Sequence, residues 1–588
     1  MQDGFLRAAA ASIPVAVADP RRNAAAICAR IDQAHRAHAA LLVLPELCVT
    51  GYTCGDLFLS ALLLDAAEEA LVNICAHTQN CDPVVVLGVP LRAGGKLYNC
   101  AAVLHRGRIL GIVPKTWLPN YDVFAEKRCF TSAAAYSGPG CVPVGGQDAP
   151  FGTGLVFACA QMPVFRLGVE LCEDVWAPVP PSVRLCLAGA TVIANCSASP
   201  EAAGKPAHRR TLLRAASARG LCGYVYANAG PDESTARAVF SAHHLIAENG
   251  TILAEHAPFA PESGLLMTEL DLLTLTAERR RNTTFVPDAA GYTTISFDLE
   301  VAEAPLTRFV SPTPFVPQND AARAERCELI LRIQAEGLAK RMEHTHAKCA
   351  VVGISGGLDS CLALLVAVRA CKVLGRDPKD IIAITMPCFG TTKRTRSNAE
   401  ILCEALGVSF TEINITNTVE SHFADIGQDP HTYDVTFENC QARVRTLELM
   451  DYANKNGGFV IGTGDLSELA LGWATYNGDH MSMYGVNAGV PKTLVRHLVH
   501  YEADIAATDT LRTVLLDILD TPVSPELLPS AADGTIAQQT EKLVGPYELH
   551  DFYLYYVLRF GFGPAKIYHL ALAAFAGRYE PEVLLAWL

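Results

Sequence analysis

Cys349-Ala350-Val351-Val352-Gly353-Ile354-Ser355-Gly356-Gly357-Leu358-Asp359-Ser360 joins an apolar strand to a helix through a turn of serine and glycine. Two glycines let backbone N–H groups point toward one spot, and the following helix, Cys361–Val368, adds the positive end of its dipole. The flanking serine hydroxyls are further donors. This stretch therefore predicts a doubly wound α/β domain that grips a pyrophosphate at the turn.

The turn differs from a Walker A loop in its charged residue. No Lys-Ser/Thr pair follows the glycines, and Asp359 stands where that motif has its lysine. A carboxylate approaches a phosphate through a bound cation, so Asp359 predicts a Mg²⁺ ion between its side chain and the phosphates of a nucleotide. The alternative interpretation is an ordinary strand-turn-helix corner without a ligand.

Length and composition indicate a cytoplasmic, multidomain protein. A chain of 588 residues with 50% apolar and 18% charged residues exceeds one hydrophobic core. Its N-terminus leads from Phe5 to a strand-like Pro14–Val17 without a signal peptide, and its apolar runs are shorter than a membrane span. The 20 cysteines lack CxxC pairs and zinc-type Cys/His spacing, which predicts reduced, buried thiols. A formal charge of −14 disfavours nucleic acid as a partner.

A proline-rich segment divides the chain. Pro305, Pro312, Pro314 and Pro317 lie close together, which a helix interior or a central strand does not accept easily. We predict one α/β domain at residues 1–300, a linker at 301–325 and a second α/β domain at 326–588.

Alternating strands and helices support an α/β class for both domains. The first domain has strand-like Ala40–Pro45, Val84–Val89 and Phe165–Leu171 with a helix over Asn23–Ala39. The second has a helix over Ala321–Arg341, the phosphate-loop strand and a buried strand at Ile381–Met386. Ligands of doubly wound sheets bind at the carboxyl ends of the strands, where the glycine turn lies.

Three apolar strands of the first domain end in reactive side chains: Glu46, Lys115 and Cys172. If the strands are neighbours, a carboxylate base, an oxyanion-stabilising ammonium and a thiol nucleophile converge. Taken singly, the same residues are explained as a solvated carboxylate, a surface amine and one more buried cysteine.

With their local sequences, the three residues resemble the nitrilase, or carbon-nitrogen hydrolase, superfamily. The motifs that carry the resemblance are Pro45-Glu46-Leu47 with Thr50-Gly51-Tyr52, Lys115 with Leu118-Pro119-Asn120-Tyr121, and Cys172-Glu173-Asp174-Val175-Trp176. The resemblance implies a four-layer αββα sandwich with Glu46 as general base, Lys115 as oxyanion stabiliser and Cys172 as nucleophile. It also implies that Glu126 helps to position the base.

The second domain adds polar residues to the phosphate loop. Arg443 and Arg445 lie at the start of a predicted helix and can bind phosphates, or they can form a solvated face. Thr463, Asp465 and Glu468 follow the strand Phe459–Ile461 and offer oxygen ligands for Mg²⁺ and ribose.

Over nearly the whole chain, the sequence resembles the family of long, two-domain glutamine-dependent NAD⁺ synthetases. The supporting stretches are Ser355–Ser360, Met386-Pro387 with Ser397-Asn398-Ala399, Asn439–Arg445, Gly462–Glu468, Val486–Lys492, Ser524–Pro529 and Gly545–Phe552. The resemblance implies an ATP-pyrophosphatase fold for the second domain. It implies that ATP adenylates the carboxylate of deamido-NAD, that ammonia released from L-glutamine through a Cys172 thioester forms the amide, and that the chain forms a homo-oligomer.

The resemblance also implies a set of ligand contacts. Glutamine contacts fall on Tyr52, Tyr121, Phe124, Glu173, Ser197, Ser199 and Lys205. ATP contacts fall on Gly353, Ile354, Ser355, Gly356, Gly357, Leu358, Asp359, Ser360 and Thr463. Deamido-NAD contacts fall on Asn439, Arg443, Glu468, Asp479 and Lys492, and Mg²⁺ ligands on Asp359 and Glu468.

Two other functions compete with this interpretation. The phosphate loop also suits another adenylating amidotransferase, such as one that makes GMP or asparagine, but those enzymes are not fused to a nitrilase-type domain. A non-enzymatic sensor of glutamine and nucleotide requires decayed sites, whereas Glu46, Lys115, Cys172 and Asp359 are all present.

Overall fold

The computed structural model describes residues 3–261, 264–300, 305–317, 319–389, 393–478, 480–521, 527 and 540–588. It divides into two compact units, an N-terminal unit, Met1–Phe309, and a C-terminal unit, Val310–Leu588. The predicted linker at 301–325 includes this division, but its limits stay a prediction, and 301–304 and 318 lie outside the described residues. Within the described ranges, no helix combines the length and the hydropathy needed to cross a bilayer.

The N-terminal unit is built on two main sheets. Its strands are β1 Phe5–Ala10, β2 Leu41–Val43, β3 Val84–Ala93, β4 Lys96–His105, β5 Arg108–Pro114, β6 Cys141–Val144, β7 Gln147–Pro150, β8 Leu155–Cys159, β9 Arg166–Leu171, β10 Val192–Ser197, β11 Gly223–Asn228, β12 His244–Glu248, β13 Thr251–His256, β14 Leu266–Asp271 and β15 Thr293–Phe297. Its helices are α1 Pro20–Arg36, α2 Ala61–His77, α3 Pro181–Leu187, α4 Lys205–Gly220 and α5 Leu272–Arg281. The strand orders are β14-β1-β2-β3-β4-β5 and β13-β12-β11-β10-β9-β8-β15.

The two sheets pack face to face and are covered by helices on their outer faces. In β3, Val84 and Val86 face the core between the sheets, while Val85 and Leu87 face the core beneath α1 and α2. Helices α3 and α4 cover the other sheet around Leu185 and Leu213. Because both faces are buried, the strands are continuous apolar runs. The predicted four-layer αββα sandwich is confirmed.

The predicted strand at Pro14–Val17 is wrong. Those residues form an irregular segment, and the first strand is β1, which pairs with β14 on one side and β2 on the other. Four consecutive alanines, Ala8–Ala11, hide this strand in the sequence because alanine has little strand preference. Burial between two partners determines the conformation instead.

The C-terminal unit is a parallel doubly wound sheet, as predicted. Its strands are β16 Ala350–Gly353, β17 Ile381–Thr385, β18 Ser409–Glu412, β19 Phe459–Gly462 and β20 Tyr484–Gly485. Its helices are α6 Asp320–His344, α7 Leu358–Leu374, α8 Lys393–Leu406, α9 Thr416–Ile426, α10 Val435–Asn456, α11 Leu466–Leu471, α12 Lys492–Asp504, α13 Asp509–Leu519, α14 Thr540–Val544, α15 Tyr547–Phe560, α16 Pro564–Ala574 and α17 Pro581–Trp587.

The strand order of this sheet, β18-β17-β16-β19-β20, defines where a ligand binds. The chain moves outward from β16 through β17 to β18 and then returns to β19 on the other side of β16. A crevice opens at such a reversal, beyond the carboxyl ends of the two strands. The phosphate loop after β16 and the polar run after β19 therefore lie together at this crevice.

Candidate functional site

Cys172 occupies a strained turn at the end of a strand in the N-terminal unit. It follows β9 directly, begins the 3₁₀-helix Cys172–Trp176 and has φ of +39°. This left-handed conformation costs energy in a residue other than glycine and is typical of reactive positions. Its N–H donates to Asn195 Oδ1 on the adjacent strand β10 at 3.1 Å, which holds the turn in place.

Glu46 and Lys115 form a fully buried ion pair. Lys115 Nζ donates to Glu46 Oε1 at 2.6 Å, and neither side chain has exposed surface. Asn99 Nδ2 donates to the same carboxylate oxygen at 2.7 Å, and the N–H of Ala198 donates to Glu46 Oε2 at 3.0 Å. A carboxylate held by three donors is fixed in orientation, as a general base must be.

Glu126 is a second carboxylate on the same ammonium. Its two oxygens accept from Lys115 Nζ at 2.7 and 2.9 Å, and Oε1 also accepts from the hydroxyl of Tyr52 at 2.9 Å. Burial raises the pKa of Glu126 to about 7 against the opposing charge of Lys115. Burial lowers the pKa of Lys115, but the charges of Glu126 and Glu46 outweigh it and raise that pKa above its usual value. Lys115 is therefore a permanent cation.

The thiol of Cys172 is neutral at rest. Burial, followed by the negative charge of Glu46, raises its pKa well above the ordinary value, while the charge of Lys115 acts in the opposite direction. A thiol of this kind needs a base to become a nucleophile. The structure places the predicted base, Glu46, and the predicted ammonium, Lys115, in one buried ion pair. The charges of both act on the Cys172 thiol.

The predicted glutamine contacts fall into two sets. At the surface, Tyr121 donates to Glu173 Oε1 at 2.7 Å and packs edge-on against Phe124, while Lys205 Nζ lies 5.9 Å from the centroid of the Phe124 ring. Ser197 and Ser199 are buried. Tyr121 is exposed, whereas Phe124, Glu173 and Lys205 are half-buried. Partly exposed aromatic and charged side chains above a buried polar floor suit a small zwitterion.

The buried serines are connected to the nucleophile through the floor of this site. The Ser197 hydroxyl donates to Asn195 Oδ1 at 2.6 Å, the oxygen that also holds the Cys172 N–H. The Ser199 hydroxyl accepts from Arg209 Nη2 at 3.3 Å. Ser197 is the last residue of strand β10.

Sequence reasoning missed several side chains that hold the catalytic ones. Asn99 and Asn195 are fully buried amides within apolar strands, and a polar residue inside such a strand was the available signal. Asp174 accepts from the N–H groups of Trp117 and Leu171 at 2.8 and 3.1 Å. Glu233 accepts from the Tyr52 N–H at 2.7 Å, and no local pattern links two residues that far apart in sequence.

In the C-terminal unit, the phosphate loop has the backbone geometry of an anion site. Gly356 has φ of +80°, and a Cβ atom there would lie 2.1 Å from the carbonyl oxygen of Thr395. The N–H of Gly357 donates to Ser355 Oγ at 3.2 Å, and the Ser360 hydroxyl donates to the Gly357 carbonyl at 3.1 Å. These bonds shape the turn at the N-terminus of α7, where the helix dipole favours an anion.

Three carboxylates converge on Lys492 beside the phosphate loop. Lys492 Nζ lies 2.7 Å from Asp359 Oδ2, 2.8 Å from Asp465 Oδ2 and 2.8 Å from Glu468 Oε1. Burial, followed by the neighbouring charges, raises the pKa of Glu468 to about 8 and that of Asp465 to about 6. Asp359 Oδ1 is buried and has no hydrogen-bond partner among the described residues. Oxygen atoms of the three acidic groups lie within 4.8 Å of one another.

The other predicted nucleotide contacts are dispersed around the crevice. Thr463 directly follows β19, and its carbonyl accepts from Asn487 Nδ2 at 3.1 Å. Asn439 lies half-buried on α10, and Arg443 on the same helix is exposed, with Nε donating to the Tyr476 carbonyl at 3.0 Å. Asp479 lies outside the described residues, as do Ser524–Glu526 of the predicted motif around 524–529.

The fold and the two sites define a class of protein: a carbon-nitrogen ligase fused to an amide-hydrolysing thiol domain. Comparison with family models agrees for each part. Residues 7–280 match the carbon-nitrogen hydrolase family, and residues 330–559 match the NAD synthase family.

Full-length relatives narrow the class to one family. The glutamine-dependent NAD⁺ synthetase of Mycobacterium leprae is 43% identical over 98% of this chain and 87% of its own length. That of Mycobacterium tuberculosis strain H37Rv is 43% identical over 97% and 86%, and that of Thermotoga maritima 30% identical over 90% and 84%. The chain belongs to the glutamine-dependent NAD⁺ synthetases, a family of ATP-consuming ligases.

Proposed function

We propose that this chain converts deamido-NAD to NAD⁺ with two chemical centres, a Cys172 centre that frees ammonia from L-glutamine and a phosphate-loop centre that adenylates deamido-NAD with ATP. The observation that carries the proposal is the buried Lys115 ammonium in contact with both Glu46 and Glu126. Burying three charged groups costs free energy of desolvation, and buried charges of this kind are concentrated at functional sites.

At the first centre, Glu46 takes the thiol proton of Cys172 as the sulfur attacks the side-chain amide carbon of glutamine. The oxyanion that forms is stabilised by the Lys115 ammonium, which is already in place and needs no reorganisation. The C–N bond then breaks, the nitrogen receives the proton from Glu46, and ammonia leaves a glutamyl thioester. Water, deprotonated by Glu46, cleaves the thioester to glutamate and restores the thiol.

Glutamine is held by the two sets of contacts described above. Tyr52, Tyr121, Phe124, Glu173 and Lys205 surround the amino acid group, and Ser197 and Ser199 form the floor. Glu126 acts through Lys115, because it holds the ammonium and accepts from Tyr52 rather than touching the reacting atoms.

At the second centre, the nicotinate carboxylate attacks the α-phosphorus of ATP and pyrophosphate leaves. Ammonia then attacks the acyl carbon of the adenylate, AMP leaves with the bonding electrons, and the amide of NAD⁺ remains. The backbone from Gly353 to Ser360 and Thr463 bind ATP. Deamido-NAD is contacted by Asn439, Arg443, Glu468, Asp479 and Lys492.

The acidic cluster fits a divalent cation by its own chemistry. Three carboxylic groups share one ammonium, so the cluster carries up to two net negative charges when all three are ionised, and a bound cation favours that ionised state. The unpartnered Asp359 Oδ1 is an oxygen of the kind Mg²⁺ prefers. We assign Mg²⁺ to Asp359 and Glu468, with Asp465 beside them. When bound, the ion would neutralise negative charge on the ATP phosphates. Resemblance to the family further supports a cytoplasmic homo-oligomer.

One assay tests the division of labour. Purified protein with ATP, Mg²⁺, deamido-NAD and glutamine should release pyrophosphate only in the presence of deamido-NAD, and NAD⁺ should accumulate. In Cys172→Ala, the glutamine-supported rate should fall on the order of 10³-fold or more because the nucleophile is lost, while ammonium salts still support synthesis. The control is Cys141→Ala, a change at an exposed cysteine.

Two results would contradict the proposal. If ammonium does not rescue Cys172→Ala, the thiol is not dedicated to releasing nitrogen. If pyrophosphate forms at the same rate without deamido-NAD, the carboxylate being adenylated is a different one.

A further inference from the structure

A cluster of metal-ligating side chains lies on the outer face of the N-terminal unit, on elements that contribute none of the catalytic residues described above. Helix α1 carries Cys28 and Asp32, which are four residues apart and therefore share one face of the helix. Helix α2 ends at His77, and Cys81 follows after one 3₁₀ turn, Thr78–Asn80. Helices α1 and α2 pack against each other, which brings the two pairs together.

Three side chains of this cluster, those of Asp32, His77 and Cys81, are within ligating distance of one another. His77 Nε2 lies 2.8 Å from Asp32 Oδ1. One ligand atom each from Asp32, His77 and Cys81 fits within a span of 4.8 Å. Cys28 lies outside that 4.8 Å group but one helical turn before Asp32 on the same face of α1, which makes its thiol the candidate for the fourth ligand.

We propose that Cys28, Asp32, His77 and Cys81 form a tetrahedral binding site for a zinc ion. Two thiols, one imidazole and one carboxylate are a complete zinc ligand set, and the thiols exclude Mg²⁺ and Ca²⁺ as the preferred ions. A tetrahedral zinc ion holds nitrogen and oxygen ligands about 3.3 Å apart. The His77–Asp32 pair therefore needs to open by only about half an ångström around the metal.

Exposure and charge suit an ion that enters from solvent. Cys81 is buried with 6% exposure, whereas the side chains of His77 and Asp32 are 35% and 42% exposed. The ion would therefore sit at the surface with its sulfur ligands beneath it. Two thiolates and a carboxylate carry three negative charges, which a divalent cation largely neutralises.

The linear sequence hides this site because its ligands come in two short pairs from different helices. Cys28-x₃-Asp32 and His77-x₃-Cys81 are each a common helical spacing, and they lie 45 residues apart measured from Asp32 to His77. Only the packing of α1 on α2 makes one ligand set of them. A bound ion would link these two helices, which form the outer layer over the β14-β1-β2-β3-β4-β5 sheet.

The test is zinc binding by the full-length chain without a polyhistidine tag. After removal of metals and incubation with Zn²⁺ in excess Mg²⁺, wild type should retain one zinc per chain more than His77→Ala, Cys81→Ser and Asp32→Asn, measured by mass spectrometry of the metal. His77 and Asp32 are partly exposed, so these two variants should fold even if Cys81→Ser does not. Cys141→Ser and His500→Ala are controls, since Cys141 is an exposed thiol and His500 pairs with Asp504 at 3.1 Å.

Two further readouts identify the ligands. Co²⁺ in place of zinc should give a sulfur-to-metal charge-transfer band that disappears in Cys28→Ser/Cys81→Ser, and Zn²⁺ should raise the Tm of wild type but not of His77→Ala. Equal zinc content in wild type and His77→Ala would overturn the proposal. A Co²⁺ spectrum without the thiolate band would overturn it as well.

Discussion

At the scale of single residues, the N-terminal centre depends on a lysine that two carboxylates share. Lys115 is enclosed completely, and the negative charges of Glu46 and Glu126 keep it protonated in surroundings that would otherwise favour a neutral amine. In the proposed mechanism, Lys115 stabilises the oxyanion only if its ammonium group is held in a fixed position. Glu126 supplies that orientation through two hydrogen bonds.

The role of Glu126 leads to a pH-dependent prediction. Its pKa of about 7 means that the carboxyl is ionised above pH 7 and becomes protonated as the pH falls through that value. Protonation weakens its hold on Lys115, so kcat/KM for glutamine hydrolysis should fall below about pH 7. Glu126→Gln should lower kcat/KM at pH 8 by about 10- to 100-fold, the equivalent of one charged hydrogen bond, and should remove this ionisation from the profile.

The comparison for Glu126→Gln is Glu69→Gln, at a glutamate whose side chain is 55% exposed. That variant should keep both the rate and the pH profile of wild type. A Glu126→Gln profile that still breaks near pH 7 would assign the ionisation to a different group.

The sequence was enough to propose the reactive residues of both centres but not the side chains that hold them. Lys115 and Cys172 directly follow β5 and β9, and Glu46 lies three residues beyond β2, so strand pattern and residue type were enough to group them. Asn99, Asn195 and Glu233 act through contacts between strands or loops that are distant in sequence. Such contacts depend on the register of packed sheets, which a single sequence does not specify.

At the scale of elements, the strand-turn-helix unit from β16 to α7 was the easiest part to predict. Its strand, its glycine turn and its helix follow from an apolar run, two glycines and a second apolar run. β1 was the hardest, since a strand of alanines has no distinctive pattern and is specified by its two neighbours. Local sequence therefore predicts an element only when local preference and burial agree.

The geometry of the turn predicts the effect of one methyl group. Gly356→Ala would place a Cβ atom 2.1 Å from the Thr395 carbonyl at a positive φ, so the turn must move and its N–H groups lose their common direction. The KM for ATP should rise at least about tenfold, the equivalent of 1.4 kcal/mol, with little change in glutamine hydrolysis.

Gly375→Ala is the matched variant for Gly356→Ala. Gly375 ends the same helix at φ of +64°, but an added Cβ there meets nothing within 4 Å. It should cost about 1 kcal/mol of stability through backbone strain alone and leave the KM for ATP unchanged. Equal effects of the two variants on that KM would mean that general destabilisation, not the turn, is responsible.

At the scale of the whole molecule, each compact unit contains the side chains of one of the two proposed centres. Among the described residues, the partners given above for Glu46, Lys115 and Cys172 belong to the N-terminal unit, and the ion-pair partners of Lys492 belong to the C-terminal unit. The proline-rich segment predicted a division in this part of the chain, because a cluster of prolines suits neither a helix nor a central strand. Damage to one centre should therefore leave the chemistry of the other intact.

Lys492→Met tests this separation. Without the ammonium, Asp359, Asp465 and Glu468 face one another in a buried site, so NAD⁺ formation should fall by at least 10³-fold and Mg²⁺ should stabilise the variant against heat more than it stabilises wild type. Cys172 should still be alkylated by a diazoketone analogue of glutamine, with loss of N₂, measured by intact-protein mass spectrometry. Lys340→Met is the comparison, because Lys340 forms an exposed pair with Glu343.

Loss of Cys172 alkylation in Lys492→Met would show that the first centre depends on the second. An unchanged response to Mg²⁺ would remove the acidic cluster as the site of the ion.

The raised pKa of the Cys172 thiol also affects how the enzyme survives in a cell. Peroxides and alkylating agents react with the thiolate, which is the nucleophilic form of cysteine. A neutral, buried thiol contains very little of that form. In the proposed mechanism the sulfur becomes reactive only when glutamine is bound, because Glu46 takes the thiol proton as the sulfur attacks the amide carbon. Inhibitors of this enzyme should accordingly owe their potency to mimicry of glutamine, and general thiol poisons should act on it slowly.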